Sequence, residues 1–406
     1  MVHSLALANL SHRKVRTALS VSAVCVGITM LITMLGLSHG TLEEVADRVT
    51  SVHAELLVLP EGRSLIFTSG APLSQKYQKI IEGVTVDGTP AVERAIPAFF
   101  HQIHLAGQEQ KVFGVDREEF KYFLGSRKWI AGRLYDEDDR FKKILDAQRT
   151  PQGAYDPDRI TDEQVQVGCE LVLDDRLARA GGYRVGQQVE YMGRPFTIVG
   201  IFQAGAAGRV FVPIQILRHI QNGGIPWSSV YFVRLSRPIR ERGDAAMSAA
   251  AEAIAKATRL RVIEKAAYER LLYQSFGQIY VFINISSVVV LVFAVLFILL
   301  TTYTMVLERT REIGILKSLG AGRVLLVWQA MTEALMMSVT GTILGIGLAY
   351  VTKWGIEKFR PLLTVDVAPR FLLLALGVGL LAGIAGSIYP AYRATRLDPA
   401  VALSFD

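Results

Sequence analysis

The sequence has little charge and almost no cysteine. Charged residues make up 20% of its 406 positions and hydrophobic residues 51%, which leaves too little charge to cover the surface of a water-soluble protein of this size. The two cysteines, Cys25 and Cys169, lie 144 positions apart, so neither a disulfide framework nor a CxxC metal pair is indicated. These shortages exclude a disordered chain and argue against a fully soluble enzyme.

Motifs that carry catalytic or nucleotide chemistry are also missing. The sequence contains no GxxxxGK[ST] motif, and therefore no Walker A loop for nucleotide phosphates, and no HExxH or GxSxG motif. His101 and His104 lie three positions apart in a predicted strand and so point to opposite faces. The acidic run 136–139 lacks the ligand spacing of a calcium loop. We therefore predict no catalytic residue, no metal site and no cofactor bound by the chain.

Four long apolar runs are the main feature that is present. A helix needs about 20 apolar residues to cross the hydrocarbon core of a bilayer, which is about 30 Å thick. The first run could be a signal peptide, but its apolar core is longer than an h-region, which favours a retained anchor. We predict transmembrane helices at 18–38, 324–352 and 371–392, and a stalk that continues into the second transmembrane helix at 276–307.

The positions of Lys and Arg predict how these helices are oriented, because such residues concentrate in cytoplasmic loops. Nine lie in or beside segments 1–17, 308–323 and 393–406, and four lie in segment 353–370. We predict a multi-pass protein of the plasma (inner) membrane with both termini and segment 308–323 in the cytoplasm. The net charge of +7 then belongs to helix ends, and we predict no nucleic-acid partner.

The segment 39–275 has no comparable apolar run and is long enough to fold by itself. Short strand-like runs at 55–59, 94–100 and 112–115, and a predicted hairpin within a β-rich part at 165–215, indicate a mixed unit. The polar stretch 136–164 is expected to be an exposed, loosely packed insertion. The predicted fold class is a membrane α-helical protein with four transmembrane helices and a large α+β extracytoplasmic domain between the first two.

Two glycine pairs and one acid are distinctive within the predicted spans. Gly341 and Gly345, and likewise Gly379 and Gly383, lie four positions apart, a spacing that lets helix backbones approach closely in lipid. We predict that they pack against helices of the same chain or of a dimer partner. Glu333 is the only charge in the third span, at a cost of about 2.5–3.5 kcal/mol at mid-membrane. An interfacial or helix-packing role is favoured over a proton relay, because no second acid or histidine lies in another span.

The cytoplasmic segment 308–323 predicts a short amphipathic helix. Its helical pattern groups Ile313, Leu316 and Leu319 on one face and places most charges elsewhere. Such a helix can lie on membrane lipid or dock into a groove of another protein. The presence of both charge signs and two glycines favours docking.

Three segments resemble the MacB/FtsX-like permease family of ABC transporters (type VII), whose subunits have four membrane helices. Residues 8–19 resemble the opening pattern of the family, residues 308–321 its coupling-helix signature, and residues 389–403 its characteristic ending. The stretch 165–213 is similar, less specifically, to the β-rich part of the family's outer domain. Glu333 falls where the family often has an acid.

The resemblance implies a homodimer or paired half-transporter that binds a separate ABC ATPase, where ATP and magnesium are held. Closure of that ATPase would move the second span and its stalk and so transmit force to the outer domain. A membrane-fusion protein or another extracytoplasmic partner is a further option, and lipid surrounds the spans. The residues expected to contact the ATPase are Glu308, Arg309, Arg311, Glu312, Ile313, Gly314, Ile315, Lys317 and Gly320.

The function that the resemblance implies is that of a non-catalytic permease subunit in an ATP-driven export or extraction complex. The alternative is an FtsX-like signalling subunit, which activates an extracytoplasmic enzyme without transporting a substrate. A membrane-bound hydrolase is disfavoured, because the sequence shows no constellation of nucleophile and base. The family does not specify the cargo.

Overall fold

The computed structural model describes residues 14–60, 73–136, 139–148, 159–268, 270, 277–308 and 322–396. The α-helices of these residues are α1 (Lys14–Thr50), α2 (Lys76–Glu82), α3 (Lys121–Leu124), α4 (Arg140–Ala147), α5 (Asp162–Gly168), α6 (Asp175–Gly181), α7 (Ile214–Asn222), α8 (Arg237–Glu241), α9 (Asp244–Thr258), α10 (Gly277–Glu308), α11 (Arg323–Phe359) and α12 (Pro369–Arg396). The strands are β1 (Leu56–Leu59), β2 (Leu73–Ser74), β3 (Thr85–Val86), β4 (Thr89–Pro90), β5 (Val92–Leu105), β6 (Gln108–Val115), β7 (Trp129–Gly132), β8 (Glu170–Asp174), β9 (Gln188–Tyr191), β10 (Arg194–Phe202), β11 (Val210–Pro213), β12 (Trp227–Ser228), β13 (Val230–Leu235) and β14 (Arg261–Glu264).

The chain divides into two compact units. The helical unit comprises Met1–Leu42 and Phe276–Asp406, and the α+β unit comprises Glu43–Ser275. Among the described residues, three helical segments are long and apolar enough to cross a bilayer, namely Thr17–Arg48, Met331–Phe359 and Pro369–Tyr389. They correspond to the first, third and fourth predicted spans. The second predicted span corresponds to α10, and its passage through the membrane stays a prediction.

The first helix is longer than the span predicted from its apolar residues. α1 has 37 residues, or about 55 Å at 1.5 Å per residue, and continues 12 residues beyond position 38. Its last turns are polar, yet Glu, Ala and Arg are good helix formers. Arg48 Nη2 also donates to Glu44 Oε1 at 2.6 Å, one helical turn away. Charge marks the end of the apolar run here but not the end of the helix.

The α+β unit is built on one mixed sheet. Its strand order is β14-β1-β13-β5-β6-β11-β8-β10-β7, with β9 paired to β10. β1 runs antiparallel to both β13 and β14, β11 runs parallel to β6, and β8 runs parallel to β10. The strands predicted at 55–59, 94–100 and 112–115 coincide with β1, β5 and β6. The α+β class of this unit is therefore confirmed.

The hairpin predicted in the β-rich part is present. β9 and β10 pair antiparallel, with Tyr191 opposite Arg194. The two residues of the turn, Met192 and Gly193, have φ of 55° and 71°, as a two-residue turn of the primed type requires. Glycine meets this requirement without strain at the second position.

Two groups of buried side chains form the core of the α+β unit. In the first, α2 and α9 cover strands β1, β5 and β13, and Leu56, Ile81, Tyr231 and Ile254 are each at most 1% exposed. In the second, aromatic rings pack edge to face, and the ring centroids of Phe120 and Phe211 lie 5.0 Å apart.

The stretch 136–164 is packed in part, contrary to the prediction. Phe141 on α4 is fully buried and Leu145, one turn later, is 5% exposed. The Phe141 ring packs directly against Gly168, where an added Cβ would lie 2.7 Å from Phe141 Cγ. The Phe141 N–H donates to Asp136 Oδ1 at 2.9 Å. The prediction of an exposed, loosely packed insertion is therefore wrong for residues 139–148. Residues 137–138 and 149–158 lie outside the described part of the chain.

Candidate functional site

The segment predicted to contact an ATPase joins two described helices. α10 ends at Glu308, and α11 begins at Arg323 after Gly322, whose backbone is extended with φ of −67° and ψ of 152°. The remaining predicted contact residues lie outside the described residues, namely Arg309, Arg311, Glu312, Ile313, Gly314, Ile315, Lys317 and Gly320.

The first glycine pair of the helical unit lies at a seam between α11 and α1. A Cβ on Gly341 would lie 2.7 Å from Val24 Cβ, and one on Gly345 would lie 2.8 Å from the Cys25 oxygen. Thr29 Oγ1 donates to the Gly345 oxygen at 3.0 Å across the same seam. The two backbones approach so closely that only glycine fits at both positions.

The second pair lies at a seam between α12 and α11. A Cβ on Gly379 would meet Thr342 Oγ1, and one on Gly383 would lie 2.9 Å from Ser338 Cβ. The Ser338 hydroxyl donates to the Gly379 oxygen. Both glycine pairs therefore lie at contacts within one chain.

Glu333 is buried in the helical unit. It is 7% exposed, and its neighbours Thr332 and Ala334 on α11 are 7% and 0% exposed. The side chain is thus enclosed by protein, and Glu333 is the third residue of the apolar segment Met331–Phe359; an interfacial or helix-packing role stays a prediction. Helix packing and proton transfer both remain compatible with this burial.

A further close contact in the helical unit was missed by the sequence analysis. The chain before α12 crosses α1 at Gly36 and Gly40, where an added Cβ would lie 2.5 Å from the Asp366 and Thr364 oxygens respectively. The Asp366 N–H donates to the Gly36 oxygen at 2.9 Å, and His39 Nδ1 lies 3.3 Å from Asp366 Oδ2. The four-residue spacing of Gly36 and Gly40 is the signal that predicts such a contact.

The α+β unit contains a cluster of charged side chains around Glu44, on the last turns of α1. Glu44 Oε1 accepts from Arg48 Nη2 at 2.6 Å and from Arg209 Nη2 at 2.8 Å, while Oε2 accepts from Arg176 Nη1 at 3.0 Å. Glu44 and Arg209 are each 12% exposed at the side chain. Charge-assisted bonds of this kind are short, strong and directional.

Asp174, at the end of β8, completes this cluster. It is 1% exposed, and its Oδ2 lies 3.9 Å from both Arg48 Nη2 and Arg209 Nη1. Its Oδ1 accepts the Leu177 N–H at 2.7 Å and caps α6. Burial raises the pKa of Asp174 against the opposing effect of Arg209, and burial lowers the pKa of Arg209. We call Glu44, Arg48, Asp174, Arg176 and Arg209 the Glu44 cluster.

A polar cleft of about 260 Å³ lies elsewhere in the α+β unit, where α2, β5, α4 and α7 meet. Arg94 on one wall lies 2.5 Å from Glu119 Oε1. Burial raises the pKa of Glu119, although its hydrogen bond to Arg94 opposes this. Lys142 Nζ lies 3.8 Å from Glu118. The walls carry charges of both signs, and the lining singles out no ligand class.

The two histidines of β5 are separated by the pleat of the strand, as predicted. His101 is partly buried and its Nδ1 lies 2.8 Å from the Tyr191 hydroxyl, whereas His104 is exposed. Burial lowers the pKa of His101 and raises the pKa of Tyr191. A raised pKa makes the Tyr191 hydroxyl harder to deprotonate.

Two family models match the chain. The MacB-like periplasmic core domain matches residues 17–257, and the FtsX-like permease C-terminal domain matches residues 284–399. The first match includes the Glu44 cluster and both core groups of the α+β unit. The second includes segment 308–323, Glu333 and the two glycine pairs of α11 and α12.

Relatives of the chain include both longer and similar-sized proteins. The macrolide export ATP-binding/permease protein MacB of Escherichia coli (strain K12) is 22% identical over 97% of this chain and 59% of its own length. The uncharacterized ABC transporter permease YvrN of Bacillus subtilis (strain 168) is 25% identical over 97% of this chain and 96% of its own length. The chain therefore spans about three fifths of the MacB relatives that it matches.

The crystal structure of the periplasmic region of MacB from Actinobacillus actinomycetemcomitans overlaps 56% of this chain and 97% of its own at 12% identity. Its TM-score of 0.36 is too low to define the fold. The family matches do not depend on that overlap, since the core-domain match alone spans more than half of the 406 residues. Together with the permease match in the remaining helices, it shows that the chain belongs to the MacB/FtsX-like family of ABC transporter permeases.

Proposed function

We propose that this chain is the permease subunit of an ATP-driven export or extraction complex and that a separate ABC ATPase hydrolyses the ATP. The observation that carries the proposal is that one chain matches both the MacB-like core domain and the FtsX-like permease domain. The match to YvrN, an ABC transporter permease that this chain covers over 96% of its length, supports an ATPase on a separate chain. ATP and magnesium would bind to that partner, and the permease would be a homodimer or one of two paired half-transporters.

The segment 308–323 is the proposed ATPase-binding element. It connects the end of α10 to the start of α11, so a force applied to it reaches two long helices directly. Its amphipathic pattern suits the helix-in-groove mode of recognition, in which apolar side chains of one face fill a groove. Binding there would convert closure of the ATPase into movement of these helices.

Co-purification of an ATPase with the full chain tests this proposal. We expect the isolated chain to lack ATP hydrolysis and the co-purified complex to have it. Gly314→Asp and Ile315→Asp place a charge on the docking helix and should abolish co-purification. Ile225→Asp is a matched control, because Ile225 is 46% exposed on the α+β unit and an added charge there should leave the complex intact. If Gly314→Asp and Ile315→Asp recover as much ATPase as the control Ile225→Asp and the wild type, docking through 308–323 is refuted.

We also propose that the chain lies in the plasma membrane. Both termini and segment 308–323 would then face the cytoplasm. A single cysteine placed at exposed Lys79 should react with a membrane-impermeant maleimide in intact cells, and one at Thr310 should react only after lysis. Both native cysteines would be replaced first. The reverse pattern would show that the topology is inverted.

A second candidate function is signalling across the membrane, which is favoured by the FtsX-like description of the match over residues 284–399. In that case the same stroke would activate an extracytoplasmic enzyme and no substrate would cross. Reconstituted vesicles that contain the complex and a labelled lipid, peptide or macrolide separate the two functions. ATP-dependent movement of at least one labelled molecule supports export. ATP hydrolysis during which none of the three labelled molecules moves supports signalling. A membrane-fusion protein is a further proposed partner of the exporter.

A further inference from the structure

We propose that Glu44 is a positioning residue that fixes the end of α1 to the centre of the sheet, so that the α+β unit follows the movements of this helix. The inference rests on the proposed function, because it concerns how an ATP-driven movement of the membrane helices is transmitted to the α+β unit. The Glu44 cluster would transmit this movement, because its five members form one connected set of ion pairs.

The partners of Glu44 come from separate parts of the α+β unit. Arg209 immediately precedes β11, Arg176 lies on α6, and Arg48 lies one turn further along α1. Asp174 ends β8, which pairs with β11 in the middle of the sheet. The Glu44 carboxylate thus binds Arg176 on α6 and Arg209 before β11. Arg48 and Arg209 extend the connection to Asp174 at the end of β8.

α1 itself is suited to deliver a displacement to this carboxylate. It is one unbroken helix from Lys14 to Thr50, and no glycine or proline occurs between Thr41 and Thr50 that would introduce a kink. Beyond Gly36 and Gly40, a movement at Thr41 is therefore passed to Glu44 through continuous helix. Residues 51–55 provide a second connection, because they lead from α1 into β1 and the His53 N–H donates to the Tyr122 oxygen at 2.9 Å.

The chemistry of the cluster favours orientation over simple adhesion. Arginine presents its donors in a planar, rigid array, so a carboxylate shared by three guanidinium groups is held in direction as well as in position. The side chains of Glu44 and Arg209 are 12% exposed, and salt screens such partly buried pairs much less than surface pairs. Apolar contacts would allow the helix to slide or rotate, whereas these bonds oppose both.

The test compares Glu44→Gln with Glu241→Gln in the full chain co-purified with its ATPase in nanodiscs. Gln keeps the size of the side chain but removes the charge. Glu241 is the matched control, because its pair with Arg237 is exposed, with side-chain exposures of 64% and 81%. Amide hydrogen exchange is followed at residues 43–50 and 174–181, with and without a non-hydrolysable ATP analogue, together with the rate of ATP hydrolysis.

In the wild-type complex and in Glu241→Gln, we expect the analogue to change exchange in both segments. In Glu44→Gln, we expect exchange at 43–50 to be about tenfold faster and the nucleotide response at 174–181 to be lost, with unchanged ATPase recovery and hydrolysis. A structural role alone would not remove the nucleotide response selectively. If Glu44→Gln responds at 174–181 as the wild type does, the inference is overturned.

A milder variant covers the case in which Glu44→Gln does not fold. Arg176 is the most exposed partner at 31%, and Arg176→Gln should reduce the nucleotide response at 174–181 while Arg176→Lys keeps most of it. Equal responses of these two variants would also overturn the inference. Failure of the proposed function looks different, because then no ATPase would co-purify with the wild-type chain.

Discussion

Replacing Gly345 by alanine should loosen the seam between α11 and α1. The added Cβ would lie 2.9 Å from Ile28 Cβ and 2.8 Å from the Cys25 oxygen, whereas relaxed carbon contacts are about 3.5 Å or longer. The helices must therefore separate by roughly 0.6 Å at this point. Such a separation also stretches the 3.0 Å bond from Thr29 Oγ1 to the Gly345 oxygen.

The expected energy follows from two opposing effects. Overpacking of a tight interior costs about 1–3 kcal/mol, and the higher helix propensity of alanine returns about 1 kcal/mol. Loss of the hydrogen bond across the seam adds about 0.6 kcal/mol. Gly345→Ala should therefore reduce the free energy of unfolding by roughly 0.6–2.6 kcal/mol.

Gly347→Ala on the same helix is the matched control. Outside its own helix, no atom of the described residues lies within 4 Å of the position where its Cβ would be. Only the propensity effect then applies, and the free energy of unfolding should rise by up to about 1 kcal/mol. The full chain is unfolded by a titration with sodium dodecyl sulfate in mixed micelles and followed by tryptophan fluorescence. Shifts of the same sign and size in the two variants would refute the argument from close backbone approach.

Three further predictions concern the α+β unit in the full chain. Burial lowers the pKa of His101, so the neutral side chain stabilises the fold above the ordinary histidine pKa of about 6.5, and this stability is lost as the pH falls below that value. The fall in melting temperature from pH 7.5 to pH 5.5 should therefore be smaller in His101→Gln than in the wild type. An equal fall in both would exclude His101 as the cause. Phe141→Ala should cost about 3–5 kcal/mol in chemical unfolding, since the ring is fully buried, whereas an effect under about 1 kcal/mol would restore the interpretation of an exposed insertion. Gly132→Ala should lower the melting temperature of the chain far more than Gly88→Ala. Both glycines have positive φ, but a Cβ on Gly132 would lie 2.1 Å from the Val199 oxygen, whereas one on Gly88 meets no described atom within 4 Å. Similar melting temperatures of the two variants would show that φ alone matters.

Local patterns in the sequence predicted the elements that depend on near neighbours. The β9–β10 hairpin follows from apolar alternation on both sides of Met192-Gly193. The alanine-rich α9, Asp244–Thr258, forms from residues of high helix propensity. The four-residue spacing of Gly341 and Gly345 pointed to a close contact, and both lie at one. In these cases the residues that determine the structure lie within a few positions of one another.

The parts that could not be predicted depend on residues distant in sequence. Glu44 and Arg209 are 165 positions apart, and nothing local marks either as a partner of the other. Phe141 and Leu145 looked isolated because their neighbours are polar, but two apolar residues four apart suffice to bury one face of α4. The segment 308–323 showed the opposite case, since its pattern is clear while its binding role depends on another protein.

The pairing of β1 with β14 has a consequence for how this protein is assembled. Leu56, near the point where the chain enters the α+β unit, lies opposite Glu264, near the point where it leaves. The whole intervening chain therefore begins and ends in adjacent strands, which is the arrangement that allows a domain to be inserted into a host or exchanged for another. Replacement of the α+β unit as a self-contained module would therefore leave the two points where the chain enters and leaves it side by side.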